Sequence, residues 1–343
     1  MRAVVVEEFG RTPVVREVPD PVPSRGGVVV RVEATGLCRS DWHGWQGHDE
    51  DITLPHVPGH ELAGRIAAVG EDVADWRVGD RVTVPFVCAC GRCAACAAGE
   101  QQVCERQEQP GFTHWGSFAE LVAVHRADLN LVALPEGMAP ATAAALGCRF
   151  ATSYRAVLAQ GGARPGEWVA VHGCGGVGLS AVMVAVAAGA RVVAVDVSEQ
   201  ALDLARELGA AACVEATAAT DTGAAVRQAT GGGAHVSLDA LGSAATCRAS
   251  VESLRRGGRH VQVGLLPAGG TAVPMDRVVA LELRLLGSHG MAAHAYPEMM
   301  RQVAAGTLRP DRLVRRTLTL DQAPAALAAM DDGTAPGVTV ITP

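Results

Sequence analysis

The chain contains no lysine, and its 29 basic residues are all arginine. Schiff-base chemistry and a lysine general base are therefore excluded. Basic stripes with interleaved aromatics are also absent: acidic residues outnumber basic ones by 36 to 29, for a net charge of −7. Nucleic acid and anionic membranes are poor partners for such a chain. The longest apolar stretches, such as residues 181–190, are too short to span a bilayer, and the N-terminus lacks a basic and apolar leader. A soluble, cytoplasmic protein is expected.

At 343 residues with 49% hydrophobic composition and no low-complexity tract, the chain is long for one core, so two domains are expected. Its ten cysteines lie in a large apolar protein rather than a short, loop-rich one. Reduced thiols that bind metal are the better reading than a disulfide framework.

The first third alternates β-branched runs with turn signals, predicting strands over residues 3–7, 27–33, 62–69 and 81–85. From about residue 151 continuous apolar strands alternate with helices. Strands are predicted over 168–172, 191–195, 236–240, 260–263 and 283–286, with helices over 175–188 and 198–208, the second capped by Ser198. Alternating β and α elements imply an α/β domain with a parallel, doubly wound sheet. The final fifty residues return to mixed texture, with helices near 297–304 and 323–330 and a strand over 338–341. They are expected to pack back on the first domain. The expected organisation is a strand-rich domain over 1–149 with a cysteine lobe at 88–104, a doubly wound domain over 150–290, and a return segment over 291–343.

Gly173-Cys174-Gly175-Gly176-Val177-Gly178 follows the predicted strand at 168–172 and opens a helix, as a dinucleotide-binding turn must. Gly173 permits the turn, Gly175 lets backbone amides approach a pyrophosphate, and Gly178 allows close helix packing, with the helix N-terminus toward the anion. Asp196 stands 23 residues beyond Gly173, where a carboxylate accepts from the adenosine ribose hydroxyls and repels a 2′-phosphate. NAD is thereby favoured over NADP. Val263 and Gly264 complete the cofactor-contact candidates. Cys174, Cys213 and Cys247 have no ligand neighbours in sequence and read as small packing residues.

Cys90, Cys93, Cys96 and Cys104 fall within fifteen residues and make a complete tetrahedral thiolate set. A zinc ion held by four protein ligands has no position left for chemistry, so this site reads as structural. Adjacent C-x-x-C disulfides would be strained. Cys88 reads as a bystander. Cys38, His60 and Cys148 lie far apart, and three such ligands would leave a position open for a substrate oxygen. Taken singly, a buried histidine or a free cysteine is more often structural than ligating.

The ordered series of Cys38 to His43, Gly59-His60-Glu61 with Gly64 and Gly70, the four-cysteine lobe, Gly147-Cys148 and the glycine-rich turn resembles the zinc-dependent medium-chain alcohol dehydrogenases over nearly the whole chain. The resemblance implies a GroES-like strand-rich catalytic domain followed by a Rossmann domain, with two zinc ions per chain and NAD. It implies that Cys38, His60 and Cys148 bind the catalytic zinc, with Glu61 behind it as a transient ligand and Asp41 bonded to the distal nitrogen of His60. Ser40 would take the alcohol's proton and pass it through the nicotinamide ribose hydroxyl to His43. Arg39 would meet the cofactor pyrophosphate. A second family arginine near the C-terminus has no counterpart in residues 334–338. Trp45, Phe86 and Trp115 lie in segments that flank the family's substrate channel, and each is equally readable as core packing.

The expected activity is reversible hydride transfer between a small-molecule alcohol and NAD, giving an aldehyde or ketone. Cys148, where polyol dehydrogenases commonly carry glutamate, mildly favours simple alcohols. The alternatives are a related dehydrogenase for a polyol, amino alcohol or glutathione adduct, and a non-catalytic NAD- and zinc-binding sensor. Family members of this length are often homotetramers or homodimers.

Overall fold

The computed structural model describes residues 1–267, 269–333 and 335–343. Thr334, the first residue of the arginine-free 334–338 segment, lies outside the described residues. The chain divides into two compact units. One comprises Met1–Ala151, Gly290–Gly306 and Pro310–Pro343; the other comprises Thr152–His289 and Thr307–Arg309.

The first unit is organised around the strand Val28–Leu37. Across its sheet the order is Val314–Thr319, Val338–Thr342, Val28–Leu37, Glu61–Val69, Arg81–Thr83 and Val132–Ala133, and Leu121–Val124 also pairs with Val28–Leu37. Val28, Val30, Leu62, Ile66, Val82 and Val84 fill the core beneath it. The central strand runs past residue 33, where the sequence pattern predicts its end. Its last residues, Thr35, Gly36 and Leu37, gain a partner in Ile341, Val340 and Thr339 of the C-terminal strand, a long-range pairing that local composition does not encode.

One register in this sheet positions the site. Antiparallel pairing sets Gly36 opposite Glu61, so Cys38, just past the end of one strand, and His60, just before the start of its neighbour, stand side by side. Gly36 is required there, because a Cβ would lie 2.1 Å from Glu61 Oε2.

The second unit holds six parallel strands in the order Ala212–Glu215, Arg191–Asp196, Trp168–His172, Ala234–Asp239, Leu254–Gln262 and Arg284–Gly287. Chain order reverses at Trp168–His172, the switch point of a doubly wound sheet. The predicted helices end within a residue or two of the observed Gly176–Ala187 and Glu199–Glu207, and Ser198 caps the second by accepting from the Ala201 N–H at 3.4 Å. Strand Ala212–Glu215 and helices Thr222–Thr230, Ala244–Glu252 and Met275–Leu281 go beyond the pattern-based reading. These are short segments, and the helices among them rich in alanine, threonine or valine carry weak periodicity. No helix among the described residues is long and apolar enough to cross a membrane.

Candidate active site

Cys38 precedes the helix Arg39–Trp45, and its backbone N–H donates to Asp41 Oδ2 at 2.8 Å. The other oxygen, Asp41 Oδ1, takes the Gly59 N–H at 3.1 Å and meets His60 Nδ1 at 2.8 Å. One buried carboxylate thus ties both strand ends together and fixes the imidazole ring. With Nδ1 held by Asp41, His60 Nε2 is the nitrogen left to act. It is buried without a hydrogen-bond partner.

The third segment is the π-helical turn Leu146–Phe150, which carries Cys148. It is fastened by the Tyr296 hydroxyl donating to the Gly147 carbonyl at 2.9 Å. Donor atoms of Cys38, His60, Glu61 and Cys148 all lie within 4.8 Å of one another. Within this cluster the Cys148 thiol hydrogen-bonds to Cys38 and holds the Cys38 thiol well below its usual range, whereas Cys148 itself is pushed up. Burial works to lower the pKa of His60, but Asp41 outweighs it and raises the group well above its ordinary value. Two thiols and an orphaned imidazole nitrogen, gathered in a buried site, fit a zinc ion with one position to spare.

Glu61 is fully buried and gripped by Arg149, whose backbone N–H and Nε each donate to Oε1 at 3.0 Å while Nη2 reaches Oε2. Arg149 is absent from the sequence-level candidates. The available signal was a pair of opposite charges, Glu61 and Arg149, each directly following a candidate ligand. Phe112 was also missed, and its ring lies 5.2 Å from that of His60.

Cys90, Cys93, Cys96 and Cys104 come together in a separate buried cluster with their sulfurs within 4.8 Å, and none is in a disulfide. Backbone N–H groups point at the sulfurs: Cys90 to Cys104 Sγ at 3.2 Å, Arg106 to Cys104 Sγ at 3.3 Å and Arg92 to Cys90 Sγ at 3.5 Å. The Cys96 backbone N–H is the largest cause that brings Cys93 down to about 6. Backbone N–H groups thus favour thiolates, the form zinc requires, at Cys90 and Cys93, whereas burial pushes Cys104 up to about 12. Cys88 lies outside the set, and burial pushes its thiol up to about 12.

Around the open cluster, Ser40 Oγ lies 3.8 Å from Cys38 Sγ, and His43 Nδ1 lies 3.0 Å from His48 Nδ1. Arg39 lays its guanidinium 3.7 Å over the Trp42 ring and donates to the Met330 carbonyl at 2.5 Å. Phe86 sets its ring 6.3 Å from that of His60. Trp45 is buried in the core with Val4, Phe118 and Leu327, where its Nε1 donates to the Arg11 carbonyl. Its ring serves packing there. Trp115 is partly exposed and donates to the Pro55 carbonyl at 3.0 Å.

In the second unit the glycine-rich turn joins Trp168–His172 to helix Gly176–Ala187. Gly173 adopts φ of +90°, and a Cβ on Gly178 would lie 1.7 Å from the Gly173 carbonyl oxygen, so both positions demand glycine. At Gly175 a Cβ would meet nothing within 4 Å, leaving an open cradle at the helix N-terminus. Val177 follows in the first turn, its carbonyl accepting from Ser153 Oγ at 2.7 Å. Asp196 ends the adjacent strand and accepts from the backbone N–H of Cys174 at 2.5 Å and of Ser198 at 2.9 Å. Val263 and Gly264 follow Leu254–Gln262, and both donate to the Asp239 carbonyl, at 3.1 and 2.9 Å.

A strand-rich unit with a four-cysteine lobe, joined in one chain to a doubly wound nucleotide-type unit, defines the medium-chain dehydrogenase class. Residues 24–136 match the alcohol dehydrogenase GroES-like domain and residues 176–305 the zinc-binding dehydrogenase domain. An alcohol dehydrogenase of Geobacillus stearothermophilus is 39% identical over 291 residues, covering 84% of each chain. The crystal structure of an NAD-dependent alcohol dehydrogenase superposes with a TM-score of 0.91 at 32% identity, covering 100% of both chains. The alcohol dehydrogenase TADH of Thermus sp. ATN1 gives 0.91 at 34% identity, covering 100% of this chain and 99% of the other. The chain belongs to the zinc-dependent medium-chain alcohol dehydrogenase family.

Proposed function

We propose that this chain is an alcohol dehydrogenase that moves a hydride reversibly between a small alcohol and NAD, yielding an aldehyde or ketone. The observation that carries this reading is the buried, unpartnered His60 Nε2 grouped with the thiols of Cys38 and Cys148. Those three residues would hold the catalytic zinc, and the four lobe cysteines would hold a structural one. When bound, the zinc supplies a Lewis acid that acidifies an alcohol hydroxyl, and NAD supplies the hydride acceptor.

The chain's own groups do the rest. Asp41 fixes the His60 tautomer and ring orientation. Ser40, beside Cys38, would accept the alcohol's proton, and His43 would serve as the base that takes the proton onward. Burial lowers the pKa of His43, with Arg39 and His48 adding to the effect, so the ring is a neutral base near pH 7. Arg149 keeps the Glu61 carboxylate ion-paired, so Glu61 would be available as a transient ligand only if that grip loosened. Arg39 would supply positive charge for the cofactor phosphates. The open cradle at Gly175, with Gly176 and Val177, would take the pyrophosphate, and Asp196 the adenosine ribose.

The rings of Phe86 and Phe112 beside His60 support an apolar surround for the substrate, and with it simple alcohols over polyols. The ten free cysteines support residence in the reducing cytoplasm. A homodimer or homotetramer is supported by the edge strand Arg284–Gly287, where Leu285 is exposed, and by the exposed Met275 and Val279 of helix Met275–Leu281.

The test is a panel of aliphatic, secondary and aromatic alcohols assayed for NADH and NADPH formation before and after chelation. Turnover with NAD that disappears on zinc removal is expected. No turnover by the zinc-loaded protein, or undiminished turnover after zinc is stripped, would sink the reading. Light scattering after gel filtration reads the oligomeric state.

A further inference from the structure

We propose that Glu108, His114 and His125 form a third divalent-metal site, independent of both cysteine-based clusters, suited to an exchangeable Ni2+, Co2+ or Zn2+ ion. One donor atom from each of the three lies within 4.8 Å of the others. Glu108 Oε2 and His125 Nδ1 are already 2.8 Å apart, and the two imidazole rings, tilted by 39°, have centroids 5.0 Å apart. With metal bonds of about 2.0–2.2 Å, neighbouring ligand atoms stand roughly 3–3.5 Å apart. The glutamate and His125, hydrogen-bonded at 2.8 Å, have to part slightly to meet that spacing, and His114 has to close in.

Backbone pairing places all three residues. The Glu108 carbonyl accepts from the Cys88 N–H at 2.8 Å, and the Glu108 N–H donates to the Cys88 carbonyl at 2.9 Å. His114 ends a tight turn in which its carbonyl accepts from the Gly111 N–H at 2.8 Å. His125 directly follows the strand Leu121–Val124. Side-chain contacts then select the donor atoms. Arg126 holds the second carboxylate oxygen, Glu108 Oε1, at 3.0 Å, which leaves Oε2 as the ligand. The Trp115 carbonyl engages His114 Nδ1 at 3.1 Å, which leaves Nε2 as the donor.

Two imidazoles and one carboxylate are a borderline donor set, suited to zinc, nickel and cobalt rather than to calcium or magnesium. Unlike the buried thiolate clusters, Glu108 and His125 keep 28% and 36% of their side-chain surface exposed, so an ion can enter and leave with water as its remaining ligands. The nearby Arg126 charge opposes the cation, making this the weakest of the three sites. Bound metal would tie the 108–115 loop to the end of strand Leu121–Val124 and stabilise it against heat.

The test uses the protein carrying its two zinc ions, dialysed to equilibrium against Ni2+ and analysed separately for nickel and zinc. One nickel per chain is expected in addition to unchanged zinc, with a higher Tm. Glu108→Gln, which keeps the side chain's shape, and His114→Ala should each weaken nickel binding by about tenfold or more and cancel the Tm rise, with zinc content and turnover unchanged. Absence of a further ion up to about 1 mM Ni2+ would overturn the proposal. So would equal nickel uptake by the His114→Ala/His125→Ala double variant.

Discussion

Arg149 and Glu61, next in sequence to Cys148 and His60, form a buried ion pair in which backbone N–H, Nε and Nη2 of the arginine all reach one carboxylate. Removing one partner strands a charge in a buried site. Arg149→Leu should therefore cost about 3–5 kcal/mol. Arg149→Lys should recover only part of this, because an ammonium cannot match the fork. Urea unfolding compares them, and a loss below about 1 kcal/mol for the leucine variant would show that the pair does not hold this segment.

Asp41→Asn keeps the shape of the side chain but removes the charge that orients His60. Zinc affinity at the open site should fall about 10- to 100-fold, whereas the lobe zinc, held by four other residues, is unaffected. Competition with a coloured chelator resolves the two classes of zinc by release rate. Unchanged release of both would show that the carboxylate has no hold on the metal.

Cys104→Ser removes one of four sulfurs from the closed cluster. Elemental analysis should fall from two zinc ions to one, and the lobe over 88–104 should become the first site of proteolysis. Cys88→Ser, outside the set, should retain both ions.

Gly175 and Gly178 separate binding from folding. A Cβ on Gly175 meets no protein atom within 4 Å, so Gly175→Ala should fold with an unchanged Tm yet bind NAD at least about tenfold more weakly, because the methyl group enters the pyrophosphate cradle. On Gly178 the same methyl would lie 1.7 Å from a carbonyl oxygen, so Gly178→Ala should lower the Tm itself. Calorimetric titration and thermal melts read the two effects, and equal NAD affinity in wild type and Gly175→Ala would remove the cradle from the cofactor site.

The doubly wound unit was legible in the sequence because its strands are continuous apolar runs and its phosphate turn carries glycine where sterics demand it. The four-cysteine lobe was legible because one loop supplies every ligand. The open cluster was not readable from spacing, and the reason lies in the sheet. Cys38 and His60 meet only through the Gly36 to Glu61 register, and Cys148 arrives on a π-helical turn fastened by Tyr296. Neither a register nor a distant hydroxyl leaves a local pattern. Trp45 shows the converse, since its neighbourhood in sequence suggests a channel while its ring lies in the core.

His172 lies in the central strand of the parallel sheet, with Nε2 3.4 Å from Ser253 Oγ and Nδ1 buried without a partner. Burial, with His260 adding to it, depresses its pKa to about 3. The unfolded chain takes up this proton near the ordinary value of about 6.5, so between these limits the unfolded state binds more protons and stability rises with pH. The contribution is complete above about pH 6.5 and is lost as pH falls toward 3, at up to about 1.4 kcal/mol per pH unit. His172→Gln, which cannot take up a proton, should lose this part of the slope, so wild type and variant should differ by about 1.6 kcal/mol in their stability change between pH 6.5 and 5. Urea unfolding at the two pH values tests this, and parallel slopes would mean that His172 is not held neutral in the fold.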